Sequence, residues 1–163
     1  MKTLVFWLIA AIVLAVPNWM IVQKEKLIRS GKPVYLMLRP RDPRSLMQGD
    51  YMRLRYDINE QIRWNEYNEL PASSLMVIQL DERGVARFLR FHEGEELDVG
   101  EQLLRYRRGR HIRFAPESFF FQEGTAGIYE NARYAELKVS PGGDCVLIGL
   151  NDENLQPLGD RIR

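Results

Sequence analysis

Residues 3–22 read TLVFWLIAAIVLAVPNWMIV, in which seventeen of 20 residues are apolar and none is charged. An unbroken apolar run of 13 residues, 4–16, lies inside it. A helix of ~20 residues at ~1.5 Å rise spans a hydrocarbon core of ~30 Å, so this segment has the length and composition of a membrane anchor. Pro17 and Asn18 interrupt the run near its outer end, an interruption that a membrane helix tolerates better than a soluble one. Trp7 and Trp19 sit towards the two ends, where indole rings suit the headgroup region. Lys2 precedes the run, and Lys24, Lys26, Arg29 and Lys32 follow it, with Glu25 among them. Two other readings compete. A cleaved signal peptide would use Val13-Leu14-Ala15 as its small-residue site, but the apolar stretch continues past it. A buried core helix would need a partner surface as apolar as itself, because this helix has no polar face to turn to water.

No second long apolar stretch follows, which predicts a single span. The organisation expected is an anchor helix over 1–23, a basic juxtamembrane linker over 24–32 and one domain over 33–163. The formal charge of +1 hides this division. The anchor and linker are basic, whereas residues 33–163 hold 18 Lys+Arg against 21 Asp+Glu. That balance speaks against nucleic acid as a partner. The lone cysteine, Cys145, cannot close a bridge within its own chain. The count of Lys and Arg after the helix favours a cytoplasmic domain. Long domains, however, cross largely regardless of charge, and a short tail with one lysine is how a secretory-type anchor begins.

Beyond the anchor the periodicity is mostly two. Residues 34–39 are an apolar run bounded by prolines. Within 51–58, Met52, Leu54, Tyr56 and Ile58 share one face and Arg53, Arg55 and Asp57 the other with Tyr51, the pattern of a half-buried strand. Runs 75–80 and 85–91 flank Asp81-Glu82-Arg83-Gly84 and read as a hairpin. Runs 102–106 and 111–114 flank the basic turn Arg107-Arg108-Gly109-Arg110. Runs 136–139 and 145–150 flank Ser140-Pro141-Gly142-Gly143. Short helices are expected within 59–69 and 127–135. The fold class is therefore mainly β: one N-terminal transmembrane helix plus a small antiparallel β-barrel or β-sandwich with one or two short helices.

One motif stands out, Gly49-Asp50-Tyr51-Met52-Arg53-Leu54-Arg55-Tyr56. It resembles the motif after which the GDYXXLXY family of bacterial membrane-anchored proteins is named, and Gly49, Asp50, Tyr51, Leu54 and Tyr56 match its specified positions. The preceding Pro40-Arg41-Asp42-Pro43-Arg44 is similar to the family's approach to the motif. Arg113-Phe114 with Glu117, Phe120 and Glu123-Gly124 is similar to its second block. The resemblance implies a single-span protein of the bacterial inner membrane with an extracytoplasmic, periplasmic domain. It also implies an accessory role beside a polytopic membrane partner. It supplies no reaction, no cofactor and no catalytic residue.

Read physically, the motif is a turn into a strand. Gly49 takes φ > 0 at the turn, Asp50 bonds the turn's amides, and Tyr51 begins the strand. The functional alternative places Asp42, Arg44, Asp50 and Arg53 on one polar surface that grips a partner or ligand. A cell-surface hydrolase using carboxylates of the 42–50 and 117–123 segments is the other function class. The candidate binding residues are thus Asp42, Arg44, Gly49, Asp50, Tyr51, Arg53, Leu54, Tyr56, Glu117 and Glu123.

Other constellations are weaker. Ser45 before Gly49-Asp50 is loosely like a Ser-Lys peptidase segment, but beyond Lys32 the only lysine is Lys138. His92 borders Glu93, Glu95, Glu96 and Asp98, yet no ligand spacing supports a metal. The arginines 105, 107, 108, 110 and 113 form the densest basic cluster. For an anchored protein this fits anionic headgroups or an acidic partner patch better than nucleic acid, and a solvated turn is the plainer alternative. Phe119, Phe120 and Phe121 cover both faces of a strand, as in a core strand or a contact surface, with core expected. Glu117 or Glu123 is expected to pair with an arginine such as Arg44 or Arg113.

Overall fold

A computed structural model describes residues 2–39, 51–62, 70–109 and 111–159. The first helix, α1, runs Lys2–Ser30 and continues without a break through Pro17 and the basic collar. Its window within Val5–Ser30 reaches a mean hydropathy of 2.3, and none of that window is buried by the rest of the chain. This is a helix long and apolar enough to span a membrane. Asn18 offsets the local disturbance by donating its amide to the Leu14 carbonyl at 2.8 Å. Near its end, Leu27 is buried, and the Gly31 amide donates to the Leu27 carbonyl at 2.8 Å before the first strand begins.

The rest is mainly β. The strands are β1 (Lys32–Met37), β2 (Tyr51–Arg53), β3 (Ser73–Leu80), β4 (Ala86–Phe91), β5 (Glu101–Arg108), β6 (Ile112–Arg113), β7 (Ser118–Phe120), β8 (Tyr134–Val139), β9 (Cys145–Asn151) and β10 (Pro157–Leu158). They pair antiparallel in three sheets, β1-β8-β9-β10, β4-β3-β5-β6 and the two-stranded ribbon β2-β7. The sheets curl into a half-barrel. Strand β1 joins the two larger sheets, because the Tyr35 amide donates to the Gly84 carbonyl at 2.9 Å. A bridge between Leu38 and Tyr56 carries the ribbon side.

All three expected hairpins form. Between β3 and β4 the Asp81 carboxylate accepts the amides of Arg83 at 2.9 Å and Val85 at 2.8 Å, and Gly84 closes the turn at φ +79. Between β8 and β9, Gly143 sits at φ +86, and a Cβ there would stand 3.0 Å from the Arg105 amide nitrogen. The Gly143 carbonyl accepts that same amide at 2.8 Å, so the hairpin tip is sewn to β5. Only glycine supplies both the backbone angle and the close approach. The core lies inside the curl. Val34 and Leu36 of β1 meet Met76 and Ile78 of β3, Leu104 and Tyr106 of β5, and Leu137 and Leu150 of β8 and β9, all essentially inaccessible.

Three local expectations differ from what is seen. The strand expected over 51–58 stops at Arg53, because its partner β7 is three residues long. Met52, Leu54, Tyr56 and Ile58 are nonetheless all buried, as the alternation predicts. A short helix α2 (Ile58–Gln61) follows, ending where Ile62 is extended; the remainder of the expected 59–69 helix, 63–69, lies outside the described residues. The helix expected over 127–135 is a 3-10 turn at Ala126–Tyr129. Tyr134 and Ala135 belong to β8, pulled into the sheet by pairing with Met37 and Leu36 of β1.

Candidate functional site

The ribbon joins the two sequence blocks. Strand β2, the centre of the motif, pairs with β7 of the second block in the register Tyr51↔Phe120, Met52↔Phe119 and Arg53↔Ser118. The Leu54 amide extends this contact by donating to the Glu117 carbonyl at 2.8 Å. Leu54 and Tyr56 are both buried, and Arg53 points out. The Tyr56 phenol donates to the Pro116 carbonyl at 2.5 Å, and its ring packs on Phe114 with centroids 5.2 Å apart. Burial, then the nearby Cys145 and Glu117, push this phenol well above its ordinary range, so it remains a neutral donor. Tyr56 is therefore the pin that fixes the second block on the motif. Asp42, Arg44, Gly49 and Asp50, with Ser45, lie outside the described residues.

A cleft of ≈ 450 Å³ opens over this junction. Arg39, Arg53 and Arg55 line it with Glu60, His111 and Glu117, above Leu54 and Tyr56. Arg39 pairs with Glu60 at 2.7 Å. Glu117 contacts the His111 Nε2 rather than Arg113. The reason is positional: His111 ends the β5–β6 turn on the cleft side, whereas the Arg113 guanidinium folds over Gly109. Arg53 and Arg55 have no ion-pair partner among the described residues. The cleft can hold an anion, and its imidazole–carboxylate pair can accept a proton. Among the described residues, no serine, threonine or cysteine lines it. Glu123 is exposed at a turn where the Thr125 amide donates to the Gln122 carbonyl at 3.1 Å, and it is not part of the cleft.

The ribbon's other face is apolar. The expectation that all three phenylalanines are core fails at Phe120, which is 74% exposed, while Phe119 is buried. Among the described residues no sheet covers the face that Phe120 shares with Tyr51, and the two rings lie 5.7 Å apart. Beside them a groove of ≈ 700 Å³ is lined by Phe119, Phe121, Ile128, Tyr129 and Val146.

The acidic loop after His92 is held from within. Arg90 makes a two-pronged pair with Glu101, at 2.5 and 3.0 Å, and its Nε reaches Glu95 at 2.9 Å. Glu95 also accepts the Glu93 amide at 2.7 Å. Backbone amides first, then Arg90 and His92, hold the Glu95 carboxyl down at about 2. No group of metal-ligating side chains is found among the described residues.

The participation of His111, Arg39 and Glu60 has little sequence signal. Glu117 stands six residues after His111, across a turn whose geometry decides whether they meet.

No curated protein and no solved structure matches this chain. A family model described as "GDYXXLXY protein" matches residues 13–150, which takes in the latter part of α1, the ribbon, the cleft and the three hairpins. The chain therefore belongs to the GDYXXLXY family.

Proposed function

We propose that the protein is a single-pass protein of the bacterial inner membrane, held by α1 with its β domain on the periplasmic side. In this reading it is a non-enzymatic accessory module that docks onto a polytopic membrane partner. The observation that carries this is the exposed aromatic face of the ribbon. Phe120, 74% exposed, and Tyr51 stand beside an apolar groove that also holds the exposed Ile128. Apolar surface of this kind, rimmed by polar residues, marks interaction sites. Anchoring by α1 confines the search for a partner to the membrane, which supports a membrane protein as that partner. Mild crosslinking before detergent extraction tests it. A specific polytopic protein recovered with the wild type and lost from Phe120→Ser is expected; recovery of the free protein alone defeats the proposal. Fusions of the C-terminus to reporters active on one side of the membrane test the orientation.

A second reading has one observation in its favour. Glu117 and His111 meet in a cleft beside two arginines that have no ion-pair partner among the described residues, which suits a hydrolase acting on an anionic substrate. Turnover of chromogenic esters or phosphoesters that disappears in Glu117→Gln would establish it in place of the accessory role.

A further inference from the structure

We propose that the cleft between α1 and the β5–β6 hairpin binds the phosphate of an anionic phospholipid headgroup. The proposal goes beyond partner docking and shares with it one premise, that α1 spans the membrane.

The cleft has a volume of ≈ 340 Å³. Lys24 of α1, Arg105 and Arg107 of β5 and Arg113 of β6 line it, with Asp144 as its one lining carboxylate among the described residues. Its position is set by the helix. Lys24 comes two residues after the apolar run ends at Val22. At the α-helical rise this is ~3 Å further along the axis, the depth at which headgroups begin. The helix is not free to swing this residue away at its base, since Leu27 is buried against the domain and β1 starts at Lys32.

The charges are arranged for an anion. Arg105 is occupied, its Nε donating to Asp144 at 2.8 Å and its Nη2 to the Gly142 carbonyl at 3.2 Å. Lys24, Arg107 and Arg113 have no acidic partner among the described residues. Arg107 and Arg113 are moreover direct partners in the β5–β6 register. Like charges directly opposite in a strand pair oppose folding, so an anion in the cleft would relieve this pairing. Two arginines and a lysine lining one site supply the donors that suit the oxygens of a phosphate. The floor is Phe114, Ala115 and Pro116, with the Cys145 thiol donating to the Phe114 carbonyl at 2.9 Å. Burial pushes that thiol up to about 11, against the pull of Lys24, so it stays neutral and the cleft keeps its positive character.

The test uses the full chain in nanodiscs of phosphatidylcholine, with or without phosphatidylglycerol, following amide exchange through residues 105–114. Phosphatidylglycerol is expected to slow exchange about tenfold in the unmodified protein, given the attraction of basic residues to an anionic surface. The doubly substituted Arg107→Gln, Arg113→Gln protein should lose this slowing. Arg87→Gln, which removes an exposed arginine of β4, should keep it. Equal exchange in the two lipids overturns the proposal without recourse to any variant, as does the same slowing in Arg107→Gln, Arg113→Gln. Glycerol 3-phosphate added to phosphatidylcholine discs separates the sources; if it slows exchange as much as the lipid does, the ligand is a soluble phosphate and the membrane assignment fails. Loss of the protein from floated discs would instead defeat the shared premise of anchoring.

Discussion

Helix α1 and the β domain use similar apolar residues in opposite ways. Leu14 of α1 is 65% exposed and Leu104 of β5 is fully buried. In the domain the alternation along β5 places Gln102, Leu104 and Tyr106 inward and Arg105 and Arg107 outward, so each strand sorts itself against water. In α1 there is no such sorting, because apolar residues surround the helix. A surface of that kind is stable where the surrounding medium is itself apolar. The contrast teaches that the two parts suit different surroundings, with the change at the basic collar.

The same substitution in both parts probes this contrast most sharply. Leu104→Ala removes a fully buried side chain from the strand that contacts β3 and β6, and should cost the domain about 2–5 kcal/mol. Leu14→Ala should leave domain unfolding within about 0.5 kcal/mol of wild type. Denaturant unfolding followed by near-ultraviolet signals of the domain reads both. Comparable losses would mean that the Leu14 stretch of α1, and not only its base at Leu27, packs on the domain, and would break the contrast between the two parts. The next effect in size lies at the motif. Tyr56→Phe keeps the ring on Phe114 but removes the part-buried hydrogen bond to the Pro116 carbonyl, a loss of about 0.5–1.5 kcal/mol. If Tyr56→Phe proves neutral, the tyrosine's hydroxyl is not what pins the second block to the motif.

The sequence foretells local pairings better than distant ones. The hairpins at 81–84 and 140–143 are legible because both strands and the turn chemistry lie within a short stretch, and Asp81, Gly84 and Gly143 do in the structure what their residue types predict. The ribbon is not legible in this way. Met52 and Phe119 meet from far apart in sequence, and β7 is too short to announce a partner. Alternation correctly separates Phe119 from Phe120, but it cannot say that one face lacks a covering sheet. The long apolar helix is legible from composition alone, and the basic collar continues it as far as Ser30. The Glu117–His111 contact depends on a turn conformation that residue types leave open.

Acid should weaken the domain more than it disturbs α1. Glu95 is held down at about 2 in the folded chain, below the ~4.3 of an unperturbed glutamate in the unfolded chain. Its contribution is therefore present above the unfolded value and is lost as pH falls towards the folded one. Glu101, lowered chiefly by Arg90, acts in the same direction. Melting temperatures of the full chain in detergent should fall as pH drops from neutrality through the carboxylate range. Arg90→Gln should flatten that fall, while the helical signal of α1 changes little. A pH response that is the same in Arg90→Gln and wild type would show that the acidic loop is not what links the domain to pH.

The smallest expected stability change falls at the residue with the largest proposed functional role. Phe120 stands 74% exposed and makes its ring contact with Tyr51 alone among the described residues. Replacing it with serine removes little buried surface, so the folded domain should keep its stability within about 0.5 kcal/mol. Its neighbour Phe119 is buried and stacks edge-on against Tyr129 at 5.1 Å, so Phe119→Ser should behave as a core substitution and cost about 3–5 kcal/mol by analogy with truncation of a buried phenylalanine. The pair separates folding from docking within two adjacent residues. Phe120→Ser should fold normally and lose the crosslinked partner. If it destabilises the domain as Phe119→Ser does, the aromatic face is an extension of the core, and the apolar surface available for docking shrinks to the groove behind it.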